Sequence, residues 1–417
     1  MLRLIKKLDN FHKNIILVFL GTSLINIFNL FYQLLLAHRM SGADFAAFNS
    51  LLSIFLLISA PLATIQTGVA KYSAEFSAQN RADKARALLR GLGRKVLFPA
   101  VFTFLIFLLA ASYVTDKLKI PSLNCGYILA ALLALSWFMP VFSGALQGLE
   151  LFNWLVSSAL ISGILKLGLA FIFIGLGFNI CGALGAFLAA NLIGIIIFIF
   201  PLRNFFSRGP VQEDINFKEF FSYLFPVAVS LFCFTALVNY DMVLVKYFFN
   251  PAEAGFYSLA QMVGKIFLFL PGAISLVMFP RSAGLNARNM DTRPALRRSL
   301  LYAAVLCIIA NIVYNFFPVS VLKILTGKTF GESVILGRLF GLSMSFFSFS
   351  FILITYFLSL KDMRFIKYLI LFTLLQFFAI ILFHTNLLQV QLTLCINSIL
   401  LFFIHLALSY KKRAIHA

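Results

Sequence analysis

Acidic side chains are scarce in this sequence: 14 Asp and Glu stand against 34 Lys and Arg in 417 residues, and charged residues make up only 12%, about half the roughly 25% of a soluble domain. A chain so poor in carboxylates has little from which to build an acid/base pair or a metal cluster. Histidine does not fill the gap, because His12, His38, His384, His405 and His416 are scattered without HExxH spacing or carboxylate neighbours. No metal or cofactor is indicated. The five cysteines (Cys125, Cys181, Cys233, Cys307, Cys395) show no CxxC or Cys/His spacing, which argues against zinc and redox motifs. Most read as small packing residues, while Cys125 and Cys181 fall near the same membrane face and leave a disulfide between them open. Linkers, low-complexity tracts and extramembrane domains are missing too. A membrane glycosyltransferase or polysaccharide polymerase would need a surface constellation that these short loops do not carry, so the chain does not read as an enzyme.

What is abundant is apolar surface: 61% of the residues are hydrophobic and Phe alone supplies 51. Runs of roughly 20 apolar residues recur along the chain, each long enough to cross a hydrocarbon core of about 30 Å as a helix. The reading is an all-α polytopic membrane protein with twelve spans, near 15–37, 45–70, 96–114, 126–148, 153–175, 180–201, 221–245, 255–280, 299–318, 333–358, 365–383 and 387–409. The first run follows Arg3, Lys6, Lys7 and Lys13 but is longer than the apolar region of a signal peptide, about 7 to 15 residues, and reads as a retained span. Sorting Lys and Arg into the two alternating sets of loops puts 24 in the set holding both termini and 6 in the other. By the positive-inside rule both termini are cytoplasmic, in a plasma (inner) membrane. The net charge of +20 is then topology signal and contact with anionic lipid, and needs no nucleic acid.

The chain also repeats itself. Sliding it by 209 residues sets Gly42, Ala43, Asp44, Phe48 and Asn49 on Pro251, Ala252, Glu253, Tyr257 and Ser258, each copy opening the second helix of a six-helix set. The expectation is two parallel-repeat six-helix lobes, 1–210 and 211–417, related by a pseudo-two-fold axis along the membrane normal.

Several stretches resemble a known family, the polysaccharide-export or Wzx-type flippases of the multidrug/oligosaccharidyl-lipid/polysaccharide (MOP) superfamily. LLLAHRMSGADFAAFNSL resembles its signature at the first outer loop, and SGALQGLELF its Leu-Gln-Gly motif after the fourth helix. NYDMVLVKYFFNPAEAGFYSLAQMVGKIFLFLPGAISLVMFPRSAG resembles its Asp-bearing seventh helix, its G-x-Y-x-x-A outer loop and the Phe-Pro end of helix eight. Met40, Ser41 and Gly42 depart from the usual Leu-Gly-Pro, and Glu150 stands where a small or basic residue is common. The resemblance implies a MATE-like, V-shaped pair of lobes that moves a lipid-linked oligosaccharide headgroup across the membrane by alternating access. Its partners are then that substrate, membrane lipids and, downstream, a polysaccharide polymerase or export machinery.

Polar residues at membrane depth are the candidate site, since a charge at the centre of a span costs about 2.5 to 3.5 kcal/mol and normally faces a wet cavity or a partner. Lys166 and Lys265 lie near the midplane, one in each half, and are expected to share a central cavity. Arg39 stands at the outer mouth. Asn26, Asn29 and Gln33, with Thr22, share one face of the first span, and Gln261 lies one turn before Lys265. These are the substrate-binding candidates, against the alternative that Ser, Asn and Gln simply bond helix to helix. Asp241 near the outer end of the seventh span is the coupling-ion candidate, or else a helix-end residue pairing with Lys246. Pro140, Pro226 and Pro271 are expected to kink their helices. GxxxG pairs at Gly144/Gly148 and Gly337/Gly341 are expected to pack helices closely. A lipid diphosphate-sugar calls for cations in the cavity, whereas a MATE-type cation-coupled multidrug exporter, the alternative, calls for carboxylates. The first six spans hold none.

Overall fold

A computed structural model describes residues 10–79, 81–206, 217–269 and 271–410. The basic start of the chain (Arg3, Lys6, Lys7), the expected lobe boundary at 210/211 and the last residues lie outside these. Seventeen α-helices and one 3-10 turn make up the described residues, which contain no strand. The outward surfaces are apolar, as lipid requires: Phe98, Phe102 and Leu109, or Tyr302, Ile308 and Ile312, are among the most exposed side chains, and backbone polar groups are satisfied within helices.

Ten helical stretches are long and apolar enough to cross a membrane, or eleven when the bent pair Leu224–Leu237 and Tyr240–Phe248 is one span. The expected count of twelve included the stretch 255 to 280. Here that stretch is two helices, Pro251–Phe269 and Gly272–Ala287, the first kept less apolar by Glu253, Gln261 and Lys265. Pro271 caps the second of them and, although Leu123–Gly148 still counts as one span, Pro140 opens Met139–Gly148 after a break, so each marks a helix start. Pro226 does not: it sits inside Phe217–Leu237, and the 41° bend falls beyond residue 237, before Tyr240.

The chain forms two compact units, Met1–Met40 with Ile58–Ala228, and Ser41–Leu57 with Val229–Ala417. The first contains α1 (Asn10–Arg39), α3 (Ala63–Ala78), α4 (Ala82–Lys117), α5 (Leu123–Ser136), α6 (Met139–Gly148), α7 (Phe152–Gly175) and α8 (Asn179–Phe206). Helices α7 and α8 form a hairpin; α3 packs on α6, α4 on α5 and α1 on α7. Leu88, Leu89, Leu92 and Val96 of α4 join Ile65, Val69, Val141, Leu146, Phe198 and Leu202 in a buried cluster. Gly144 and Gly148 are there for closeness: a Cβ on Gly144 would stand 2.6 Å from the Gln66 carbonyl oxygen, and one on Gly148 would meet Ala70 and Ser73. A disulfide joins Cys125 at the start of α5 to Cys181 at the start of α8.

The second unit contains most of α2 (Gly42–Ser59) and the second part of α9 (Phe217–Leu237), followed by α10 (Tyr240–Phe248), α11 (Pro251–Phe269), α12 (Gly272–Ala287), α13 (Arg293–Phe316), α14 (Pro318–Thr326), α15 (Gly331–Ser359), α16 (Phe365–Leu382) and α17 (Leu387–Tyr410). Helix α15 is its buried centre, packed on α11, α12, α13 and α17. Its serines at 333, 343, 345, 348, 350 and 359 are buried, small polar residues of the kind that let membrane helices approach. Gly337 and Gly341 pack against Tyr314, Asn311 and Phe267. Helix α2 meets α11 where the sequence repeats: Asn49 Nδ2 donates to Ser258 Oγ at 2.9 Å, and these two residues are 209 apart, the repeat offset itself. A few residues earlier the backbones nearly touch, since a Cβ on Gly255 would lie 2.9 Å from the carbonyl carbon of Gly42.

Candidate functional site

In the first unit the candidate residues gather around Lys166 on α7. Its Nζ donates to Asn29 Oδ1 on α1 and lies 4.7 Å from the centre of the Tyr32 ring and 5.3 Å from that of Phe187 on α8. Tyr32 is itself anchored, its hydroxyl donating to the Ala183 carbonyl of α8 at 2.9 Å. All these partners are neutral, so the ammonium is oriented without being neutralised. Amide oxygen and aromatic faces both suit a cation, and a partly exposed lysine so held keeps donors for an anion.

The other first-unit candidates divide. Asn26 is exposed and Gln33 half-buried on α1; of the α1 stripe, Asn29 is the member brought to Lys166. Arg39 is exposed and stacks over the Phe171 ring at 5.3 Å. The serines preceding Lys166 on α7 are partly absorbed by packing, with Ser158 donating to the Gly194 carbonyl at 3.1 Å.

In the second unit Asp241 occupies the first turn of α10, where the helix dipole favours a negative charge. It is fully buried. Its Oδ2 accepts from the Tyr257 hydroxyl at 2.8 Å and from Gln261 Nε2 at 3.0 Å, while Oδ1 has no hydrogen-bond partner. Lys265, one turn beyond Gln261, is within electrostatic reach of the carboxylate. Gln261 is thus buried and committed to Asp241, a supporting position rather than an open one. The sequence reading missed the polar residues close by: Gln376 donates to the Leu237 carbonyl at 2.9 Å, Asn397 donates to Gln376 Oε1 at 2.7 Å, and Gln391 donates to Ser343 at 3.0 Å. Their signal was present as Gln376 inside the eleventh apolar run and Gln391 and Asn397 inside the twelfth. Tyr257 is the repeat counterpart of Phe48, so at this position the second copy adds the hydroxyl that donates to Asp241.

No group of three or more His, Cys, Asp or Glu among the described residues has the arrangement of a metal site. Two apolar grooves beside α13, of about 350 and 510 Å³, touch none of the candidate residues.

A sequence model of the family described as "Polysaccharide biosynthesis protein" matches residues 11–285, well over half of the chain. The chain belongs to that family. Among curated relatives, the putative O-antigen transporter of Shigella flexneri is 24% identical to this family member over 259 residues, 60% of this chain and 61% of that protein; the chain therefore spans less than two thirds of that relative's length. Among solved structures, an inward-facing multidrug resistance MATE family transporter of the MOP superfamily superposes with a TM-score of 0.74 at 15% identity, covering 92% of this chain and 94% of the other. The lipid II flippase MurJ, in an inward closed conformation, gives 0.72 at 15% identity over 95% and 88%. These likenesses establish the fold, a multi-pass helical one of MATE type. The motif resemblance to Wzx-type members of the MOP superfamily agrees with the family.

Proposed function

We propose that this protein is a flippase that carries lipid-linked oligosaccharide, a polyprenyl-diphosphate-sugar, from the cytoplasmic to the outer leaflet for cell-surface polysaccharide assembly, by alternating access. The observation that carries the reading is Lys166: a cation at membrane depth whose partners are an amide, two rings and no carboxylate. A point charge with three donors suits a diphosphate. The Shigella flexneri relative named as an O-antigen transporter and the fold shared with the lipid II flippase support the same substrate class.

In this reading Lys166 is the principal headgroup ligand, with Asn29 orienting it and Asn26, Gln33 and Arg39 lining the approach. Lys265 is a second cation, one turn beyond the Gln261 that donates to Asp241. Each negative charge moved outward across an inside-negative potential gains about 2.3 kcal/mol per 100 mV, so a headgroup with roughly two charges gains about twice that. Asp241 is then a coupling-ion candidate that transport does not strictly need. The MATE-type alternative, a cation-coupled drug exporter, has the fold likeness in its favour, yet the acid it would present to a cationic drug is fully buried and bonded to Tyr257 and Gln261. Placement in the plasma (inner) membrane with cytoplasmic termini, and hand-over to a polymerase or export machinery, belong to the same proposal. Cells deprived of the protein should accumulate lipid-linked oligosaccharide on the cytoplasmic face; unchanged distribution of that intermediate between leaflets would reject the reading.

A further inference from the structure

We propose that the Cys125–Cys181 disulfide is an extracytoplasmic staple that positions the cage around Lys166; the positioning part rests on the headgroup role just proposed, the staple part does not. Three observations meet at the start of α8. The disulfide fixes Cys181 to Cys125, with their Cα atoms 4.9 Å apart. Two residues on, the Ala183 carbonyl receives the Tyr32 hydroxyl. Six residues on, about 9 Å along a helix, Phe187 faces the Lys166 ammonium. One short segment of α8 therefore supplies one ring of the cage and anchors the other.

The staple joins two pairs of helices that are each tightly packed already. A Cβ on Gly126 would stand 2.9 Å from Ala111 Cβ, which locks α5 to α4; one on Gly182 would stand 2.9 Å from Phe173 Cβ, which locks α8 to α7. The bond thus connects the α4–α5 pair to the α7–α8 pair at one end, the end next to Lys117 and Lys119 where basic residues are few. Disulfides persist in oxidising compartments. The thiol pairing and the charge bias of the loops are independent, and both place this end outside.

Formation balances as thiol–disulfide exchange with a disulfide-bearing protein oxidant on the outer face. One cysteine thiolate attacks the oxidant's disulfide, the second displaces the resulting mixed disulfide, and two protein thiols are exchanged for one disulfide while the oxidant gains two thiols. Cys233, Cys307 and Cys395 are buried free cysteines of the other unit and serve as internal controls.

The test uses full-length protein in native membranes, denatured and labelled with a mass-tagged maleimide with and without prior reduction. Reduction should add two tags to the wild type, and Cys125→Ser should expose Cys181 without reduction; two additional tags on unreduced wild type would overturn the staple. In proteoliposomes, a membrane-impermeant phosphine should raise the apparent KM for lipid-linked sugar several-fold with little change in Vmax. That effect should vanish in Lys166→Met and persist in Lys265→Met. A reductant effect on Vmax alone, or an equal effect in Lys166→Met, would reduce the bond to a structural brace and refute the positioning role. If the labelling result holds but no sample moves lipid-linked sugar, the staple stands and the flippase reading is what fails.

Discussion

Replacing Lys166 by Met removes one charge while keeping an unbranched side chain of similar length. The structure separates its effect on stability from its effect on binding. On the stability side the variant loses the charge-assisted bond to Asn29 and two ring contacts, worth about 1.5–3 and 0.5–2 kcal/mol respectively. It also removes the cost of holding an ammonium at membrane depth, about 2.5–3.5 kcal/mol. The two nearly cancel, so thermal unfolding in detergent should shift little. On the binding side a hydrogen bond to a charged group contributes about 1.5–3 kcal/mol, or roughly a 10- to 150-fold rise in KM for a diphosphate headgroup. Asn29→Asp sharpens the contrast by placing a carboxylate on the ammonium: it should stabilise the fold or leave it unchanged, yet lose headgroup affinity to a similar degree. The assay is protein-dependent transfer of a fluorescent lipid-linked sugar in proteoliposomes, with melting followed on the same preparations. Wild-type KM in Lys166→Met, or improved transport in Asn29→Asp, would refute the assignment of Lys166 as a headgroup ligand.

Three further outcomes follow from the packing. With the other cysteines replaced, Asn49→Cys with Ser258→Cys should cross-link, because the native side chains are bonded at 2.9 Å, and the cross-linked protein should stop transporting until reduced; full transport while linked would show that α2 and α11 never part. Tyr257→Phe takes from buried Asp241 one of its two side-chain donors and should cost about 1–3 kcal/mol, partly recovered in Tyr257→Phe with Asp241→Asn; no drop in melting temperature would contradict the buried-acid account. Gly144→Leu must push α3 off α6, since even a Cβ there lies 2.6 Å from the Gln66 carbonyl oxygen, and overpacking of about 1–3 kcal/mol should lower the yield of folded protein, whereas Gly284→Leu, with open space around it, should not.

Apolar runs, which obey the simple length rule of the bilayer, made the membrane fold legible in the sequence; the 209-residue repeat was legible too, but that Asn49 bonds its own counterpart Ser258 came only from the structure. Depth in a span also pointed to Lys166 and Lys265 as the lysines with special surroundings. What the pattern could not show was the direction of side chains. Periodicity put Gln261 and Lys265 on one face alike, but only packing shows that Gln261 turns to Asp241 and is buried. It also could not separate a helix break from a kink: Pro226 is carried inside a continuous helix while the bend falls beyond residue 237. The amides of Gln376, Gln391 and Asn397 escaped notice because scattered amides in apolar runs are common and their partners lie far away in sequence.

The central claim is transfer of a lipid-linked, negatively charged headgroup, and it is tested most directly by reconstituting the protein with a fluorescent polyprenyl-diphosphate-oligosaccharide and following quenching by a membrane-impermeant reagent under an imposed potential. The account predicts protein-dependent transfer that accelerates when the compartment equivalent to the cytoplasm is made negative and that falls sharply in Lys166→Met. Absence of transfer, together with export of a cationic dye that depends on Asp241, would contradict it.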